Sequence, residues 1–155
     1  MGKLFDVAVS WLEDNDWSFS QYETEKSVYA VANYQADHST YKLVLEAYEK
    51  IDFFFVYAYI SAKVPEKKYT AVAELLTRIN FGLTIGGFQF DMNDGTIRYK
   101  CSVDVEGSSL SPEMVNSMVG AALSSADEYF PAIMQITYAD KTPLQVLQSL
   151  FDEGK

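Results

Sequence analysis

The spacing of hydrophobic positions changes several times along this chain, and each change predicts an element. From residue 3 to about 14, Leu4, Val7, Ala8, Trp11 and Leu12 recur three and four apart, the period of one helix face. Asn15-Asp16 ends that helix. Four extended segments follow, at residues 17–22, 28–36, 41–48 and 53–60, with Asp37-His38-Ser39-Thr40 as a turn between the second and third. The third alternates, with Tyr41, Leu43, Leu45 and Ala47 on one side and Lys42 and Glu46 on the other. The fourth is apolar on both sides, the pattern of a strand with both faces covered. The close spacing implies an antiparallel meander.

A helical period returns after Val64-Pro65-Glu66, with Val72, Leu75, Leu76, Ile79 and Leu83 as its buried stripe and Gly86-Gly87 as its stop. Phe88-Gln89-Phe90 and residues 97–105 then read as a hairpin around Asp94-Gly95, a pair that tolerates positive φ in a tight turn. Ile97, Tyr99, Cys101, Val103 and Val105 face one way along the second of these strands. Ser111-Pro112-Glu113 is a helix start: an N-cap serine, a proline in the first turn, and a carboxylate at the positive end of the dipole. The long helix buries Val115, Met118, Val119, Ala122, Ala126, Tyr129 and Ile133, and Pro131 is expected to kink or shorten it. A last short helix starts at Thr142-Pro143 and carries Leu144, Leu147 and Leu150. These elements make one α+β domain spanning 1–155. Its antiparallel sheet has five to six strands, with helices mainly on one face.

Composition narrows the function classes. The 155 residues carry 12 Lys and Arg against 22 Asp and Glu, a net charge of −10. A nucleic-acid binder is disfavoured, because phosphate contacts need a basic surface, and an anionic membrane surface is disfavoured for the same reason. No run approaches the length of a membrane span, and the acidic residues Asp6, Glu13 and Asp14 interrupt the first apolar stretch, unlike a signal peptide. A single cysteine, Cys101, allows no internal disulfide, so the expected compartment is the cytoplasm.

Candidate chemistry is sparse. Asp91-Met92-Asn93-Asp94-Gly95 opens like a calcium loop but has glycine at the fifth position and Ser102 at the twelfth, where cation ligands are needed. No metal site is expected. Gly82, Gly86 and Gly87 precede a strand, with no Gly-Lys-Ser/Thr to cradle a phosphate. His38 lies in a polar turn, and Cys101 alternates with core positions, so a Cys–His nucleophilic pair is not expected. The acidic residues are scattered, with no pair set as general acid against general base. Neither enzymatic activity nor a cofactor is expected.

The least explained feature is the strand at 53–60. Phe53, Phe55, Tyr57 and Tyr59 share one face, and Phe54, Val56, Ala58 and Ile60 share the other. One reading is a central strand whose back is covered by local side chains. The other is that the aromatic face binds a partner, as a large exposed apolar patch would. Leu144, Leu147 and Phe151 of the last helix form a second candidate surface.

An ordered set of segments resembles the YbjN family, labelled bacterial sensory transduction regulators. These are Val64-Pro65-Glu66, Leu75-Leu76-Thr77-Arg78-Ile79-Asn80, Gly87-Phe88-Gln89-Phe90-Asp91, Gly95-Thr96-Ile97-Arg98-Tyr99, Leu110-Ser111-Pro112-Glu113 and Ala126-Asp127-Glu128-Tyr129-Phe130-Pro131. The resemblance runs from about residue 15 to 150. It implies a fold similar to type III secretion chaperones, which are small, acidic, usually dimeric proteins that hold an extended client segment. It brings no catalytic residues. The expectation is a non-enzymatic, chaperone-like protein-binding module with a regulatory role in stress or signalling. Its partner would be a protein client or a second copy in a homodimer, held through Phe53, Phe55, Tyr57 and Tyr59. The alternative is a small-molecule sensor with an apolar ligand between sheet and helices.

Overall fold

The structure is a computed structural model that describes the backbone of residues 2–153 and the side chains of residues 2–150. The element order is α1 (Lys3–Asp14), β1 (Ser20–Glu23), β2 (Val28–Gln35), β3 (Thr40–Tyr48), β4 (Phe53–Tyr59), α2 (Tyr69–Gly82), β5 (Gly87–Asp91), β6 (Thr96–Asp104), α3 (Pro112–Tyr138) and α4 (Pro143–Glu153). All strands join one antiparallel sheet in the order β1-β2-β3-β4-β6-β5. The meander and the hairpin are thus welded through β6, which pairs with both β4 and β5.

Period-two alternation sorts the strands into two faces. On the helix side, Leu45, Val56 and Cys101 lie side by side across three strands, as do Leu43, Ala58 and Tyr99. Ala30 and Ala32 of β2 oppose Leu45 and Leu43, so small residues leave room for large ones. The helices bury Phe5, Ala8, Leu12, Val72, Leu75, Val115, Ala122, Ala126 and Ile133 against this face in one continuous core. In α1 the inward position is Phe5 rather than Val7, which is only partly buried.

Several ends are fixed by side chains distant in sequence. The first turn of α1 has no local cap; instead the Glu49 carboxylate accepts from the Leu4 and Phe5 amides at 3.1 and 2.9 Å. That satisfies two orphan donors and sets a negative charge at the positive end of the helix. Ser111 caps α3 as expected, its Oγ accepting from the Met114 amide. The β5–β6 turn is a four-residue loop rather than a two-residue one, since Asp91 pairs with Thr96. Gly95 there has φ +82°, and a Cβ would collide with the Val64 carbonyl.

Three expectations need correction. Pro131 does not shorten α3, which runs through it to Tyr138. The proline removes one helical donor, but Ala132, Ile133, Ile136 and Thr137 beyond it are buried, and that burial outweighs the break. Helix α2 ends at Gly82, before Gly86-Gly87, so the expected stripe residue Leu83 lies beyond it in extended backbone and is only partly buried. In α4 the inward anchor is Val146, at 1% exposure, whereas Leu144 is 58% exposed; the side chain of Phe151 lies outside the described residues.

The Glu49 cap is directly testable. Glu49→Ala should cost about 1–2 kcal/mol, the usual range for a lost N-cap with a dipole contribution. Urea unfolding followed by far-UV circular dichroism measures it, and an unchanged midpoint would contradict the assignment.

Candidate functional site

Helices α1, α2 and α3 pack on one sheet face, α4 packs on α2 and α3, and the opposite face carries the aromatic row of β4. Antiparallel register arranges its side chains in a grid. Asn33, Lys42, Tyr59, Arg98 and Gln89 form one row across five strands. Val31, Val44, Tyr57 and Lys100 form the next, then Tyr22, Tyr29, Glu46, Phe55 and Ser102, then Tyr48, Phe53 and Asp104. The expectation that both faces of β4 are covered therefore holds only on the side of Phe54, Val56 and Ala58, each fully buried under the helices. On the other side no helix intervenes among the described residues. Neighbouring side chains bury Tyr57 to 7% exposure and leave Phe53, Phe55 and Tyr59 half-buried.

The row packs ring against ring. Centroids lie 6.1 Å apart for Phe53–Phe55, 5.9 Å for Phe55–Tyr57 and 6.2 Å for Tyr57–Tyr59, and Tyr48 meets Phe55 edge-on at 5.3 Å. Cations cover it. The Arg98 guanidinium sits 4.3 Å from the Tyr57 ring centre, donates from Nε to Gln89 at 2.7 Å, and donates from Nη1 to the Tyr59 hydroxyl at 3.0 Å. Lys100 lies over Phe55 and Lys42 over Tyr59, at 5.2 and 5.3 Å. Such contacts hold each cation in place by the ring quadrupole. Among the described residues Lys42, Arg98 and Lys100 make no ion pair. A chain of net charge −10 thus sets three cations over aromatic rings without a direct ion pair among the described residues.

Two surface hollows flank the Tyr59–Arg98 ridge. One of about 350 Å³ touches Gln89, Asp91, Asp94 and Thr96; the other, of about 270 Å³, touches Tyr29, Lys42, Val44 and Glu46. Burial pushes the Tyr57 hydroxyl up to about 12, with Arg98 pulling the other way, so the ring stays neutral beside the guanidinium. Asp94 is held below the usual carboxylate range by the Thr96 amide and hydroxyl and by Lys63.

The other sequence candidates are not brought together. His38 lies in the β2–β3 turn, where its amide donates to Asp127, while Cys101 is buried and its Sγ contacts the Met118 carbonyl. Desolvation pushes the Cys101 thiol up to about 12, the opposite of an activated nucleophile. Among the described residues no group of three or more His, Cys, Asp or Glu is placed to hold a metal ion. No described helix is long and apolar enough to cross a membrane.

The two sheet edges differ, which the sequence reading missed. At β5 the Asn80 amide acts as a surrogate strand: its Nδ2 donates to the Phe88 carbonyl at 3.0 Å, and its Oδ1 accepts from the Phe88 amide at 2.7 Å. At the other edge all four residues of β1 are exposed. The sequence signal was an asparagine in the last turn of a helix, eight residues before the strand residue Phe88 that it bonds. Phe81, at 96% exposure, was also missed; it falls off the apolar stripe of α2.

The family model for YbjN, described as "Putative bacterial sensory transduction regulator", matches residues 6–135. The chain belongs to the YbjN family. Among solved structures it is similar to "Crystal structure of YbjN, a putative transcription regulator from E. coli", at 17% identity and a TM-score of 0.52. That similarity covers 81% of this chain and 93% of the other, and at such identity it shows the YbjN fold alone. No curated protein matches the chain.

Two outcomes follow for this YbjN domain. Asn80→Ala should uncover the Phe88 backbone groups, cost about 2 kcal/mol for two lost hydrogen bonds, and increase edge-to-edge aggregation seen by light scattering. Raising the pH should destabilise the fold. Burial lifts the protonation ranges of Cys101, Tyr57 and Tyr99 to about 12 in the folded state. The unfolded chain releases those protons from about pH 9 upward, so stability is full below that and falls as pH rises toward the folded values. Urea midpoints between about pH 8 and 11 measure the decline, and Cys101→Ala should make it shallower.

Proposed function

We propose that this YbjN-family chain is a non-enzymatic, chaperone-like protein-binding module, acting in stress or signalling regulation, whose contact surface is the helix-free face of its sheet. The observation that carries this reading is the row Phe53, Phe55, Tyr57 and Tyr59, which faces away from the described helices and has Arg98, Lys100 and Lys42 over its rings. Large rigid rings flanked by arginine are the side chains that supply most of the energy in protein contacts, at little entropic cost. The family description as a sensory transduction regulator supports the regulatory part. The small-molecule reading gains no support from the packing, since fully buried Phe5, Tyr41, Phe54 and Tyr99 fill the layer between sheet and helices.

The test is cross-linked capture from the native cell, comparing the unaltered chain with Tyr57→Asp and with the milder Tyr59→Ser. Loss of a reproducible protein partner or of a second copy, about tenfold or more at a contact hot spot, is expected while far-UV circular dichroism stays unchanged. Association that survives both substitutions would remove this face from consideration. Because Tyr57 is nearly buried, Tyr59→Ser decides the matter if Tyr57→Asp unfolds the chain.

A further inference from the structure

On the outward face, β3 and β6 each run from basic to acidic positions, Lys42 to Glu46 and Arg98 to Asp104. Lys42 and Arg98 occupy one row and Lys100 the next, Glu46 and then Asp104 occupy the following rows, and a further row beyond Lys42 and Arg98 holds Gln35, Thr40, Thr96 and Asp91. Asp104 is exposed, and only its Oδ1 is used, accepting from the Glu106 amide. Arg98 spends Nε on Gln89 and one Nη1 proton on Tyr59, leaving its remaining donors free. The aromatic row of β4 runs between these columns, from Phe53 beside Asp104 to Tyr59 beside Lys42 and Arg98.

A surface with this layout is complementary to itself about one particular axis. We infer that a second copy of this chain packs on it, outer face to outer face, with the two-fold axis lying in the interface and perpendicular to the strands. This rests on the proposed role of the same face and names its partner. A two-fold interface brings one patch against itself. Rotation about that axis keeps each strand opposite its own copy and inverts its direction. Arg98 then meets the partner's Asp104, Tyr59 meets the partner's Phe53, Tyr57 meets the partner's Phe55, and Lys42 lands beside the partner's Glu46. The other in-plane two-fold, parallel to the strands, sets Lys42 against the partner's Arg98, and that like-charge contact disfavours it. The face is also large enough: six strands about 4.8 Å apart and four to five side-chain rows about 6.8 Å apart give roughly 700 Å² per copy. That is close to the roughly 800 Å² per partner of a standard stable interface. Two sheets packed this way adopt the aligned sandwich, about 10 Å apart, with their inner faces interdigitating.

The experiment is sedimentation velocity of the full chain over a dilution series, with Arg98→Asp, Asp104→Arg and the double exchange. The unaltered chain should sediment as a dimer. Each single exchange should weaken dimerisation by at least about tenfold, because it sets like charges together, and the double exchange should restore it. Restoration excludes misfolding as the cause of the single losses. A monomer at every concentration would overturn the self-packing, while partner capture with Tyr59→Ser judges the face itself independently. A dimer indifferent to the single exchanges, or unrescued by the double exchange, would also overturn it.

Discussion

Burial of Phe54, Val56 and Ala58 against the helix layer is the constraint from which the rest of the molecule follows. These side chains are fully buried, and β4 stands inside the sheet between β3 and β6. A strand with period two cannot bury that set without presenting Phe53, Phe55, Tyr57 and Tyr59 on the opposite side. The helices are committed to one face, so the second aromatic set meets whatever lies outside. Arg98 and Lys100 of β6 and Lys42 of β3 then cover it, because strand register places them beside the rings. The outer surface is thus a consequence of how the core is built.

The same constraint explains why the hairpin must return to the centre. β4 needs a neighbour on its far side to satisfy its backbone groups, and β6 supplies one with a matching inward set of Ile97, Tyr99 and Cys101. β5 is left at the edge, where Asn80 occupies the backbone groups of Phe88. The opposite edge, β1, is short and polar, a common way to limit unwanted strand pairing.

Among the functional candidates, His38 lies in the β2–β3 turn, while Cys101 is buried in β6 and keeps its proton. What the sequence reading could not supply was the electrostatic character of the aromatic surface. A net charge of −10 suggests an acidic exterior everywhere, yet Lys42, Arg98 and Lys100 converge on one patch without ion pairing among the described residues. Residues 56 positions apart in sequence meet there, and composition carries no trace of such convergence.

The element order, the two faces of β3, β4 and β6, and the Ser111 cap of α3 were legible because each depends on a local period or a single turn of chain. Membership in the YbjN family was legible from an ordered series of short segments. Tertiary structure alone decided that Glu49 caps α1, that Asn80 closes one sheet edge, and that α3 continues through Pro131. It also decided that the aromatic row of β4 faces away from every helix and lies under the side chain of Arg98. Each of these joins residues far apart in the chain or weighs a local penalty against burial elsewhere. Strand pairing and helix packing fix those relations, and no period within one segment encodes them.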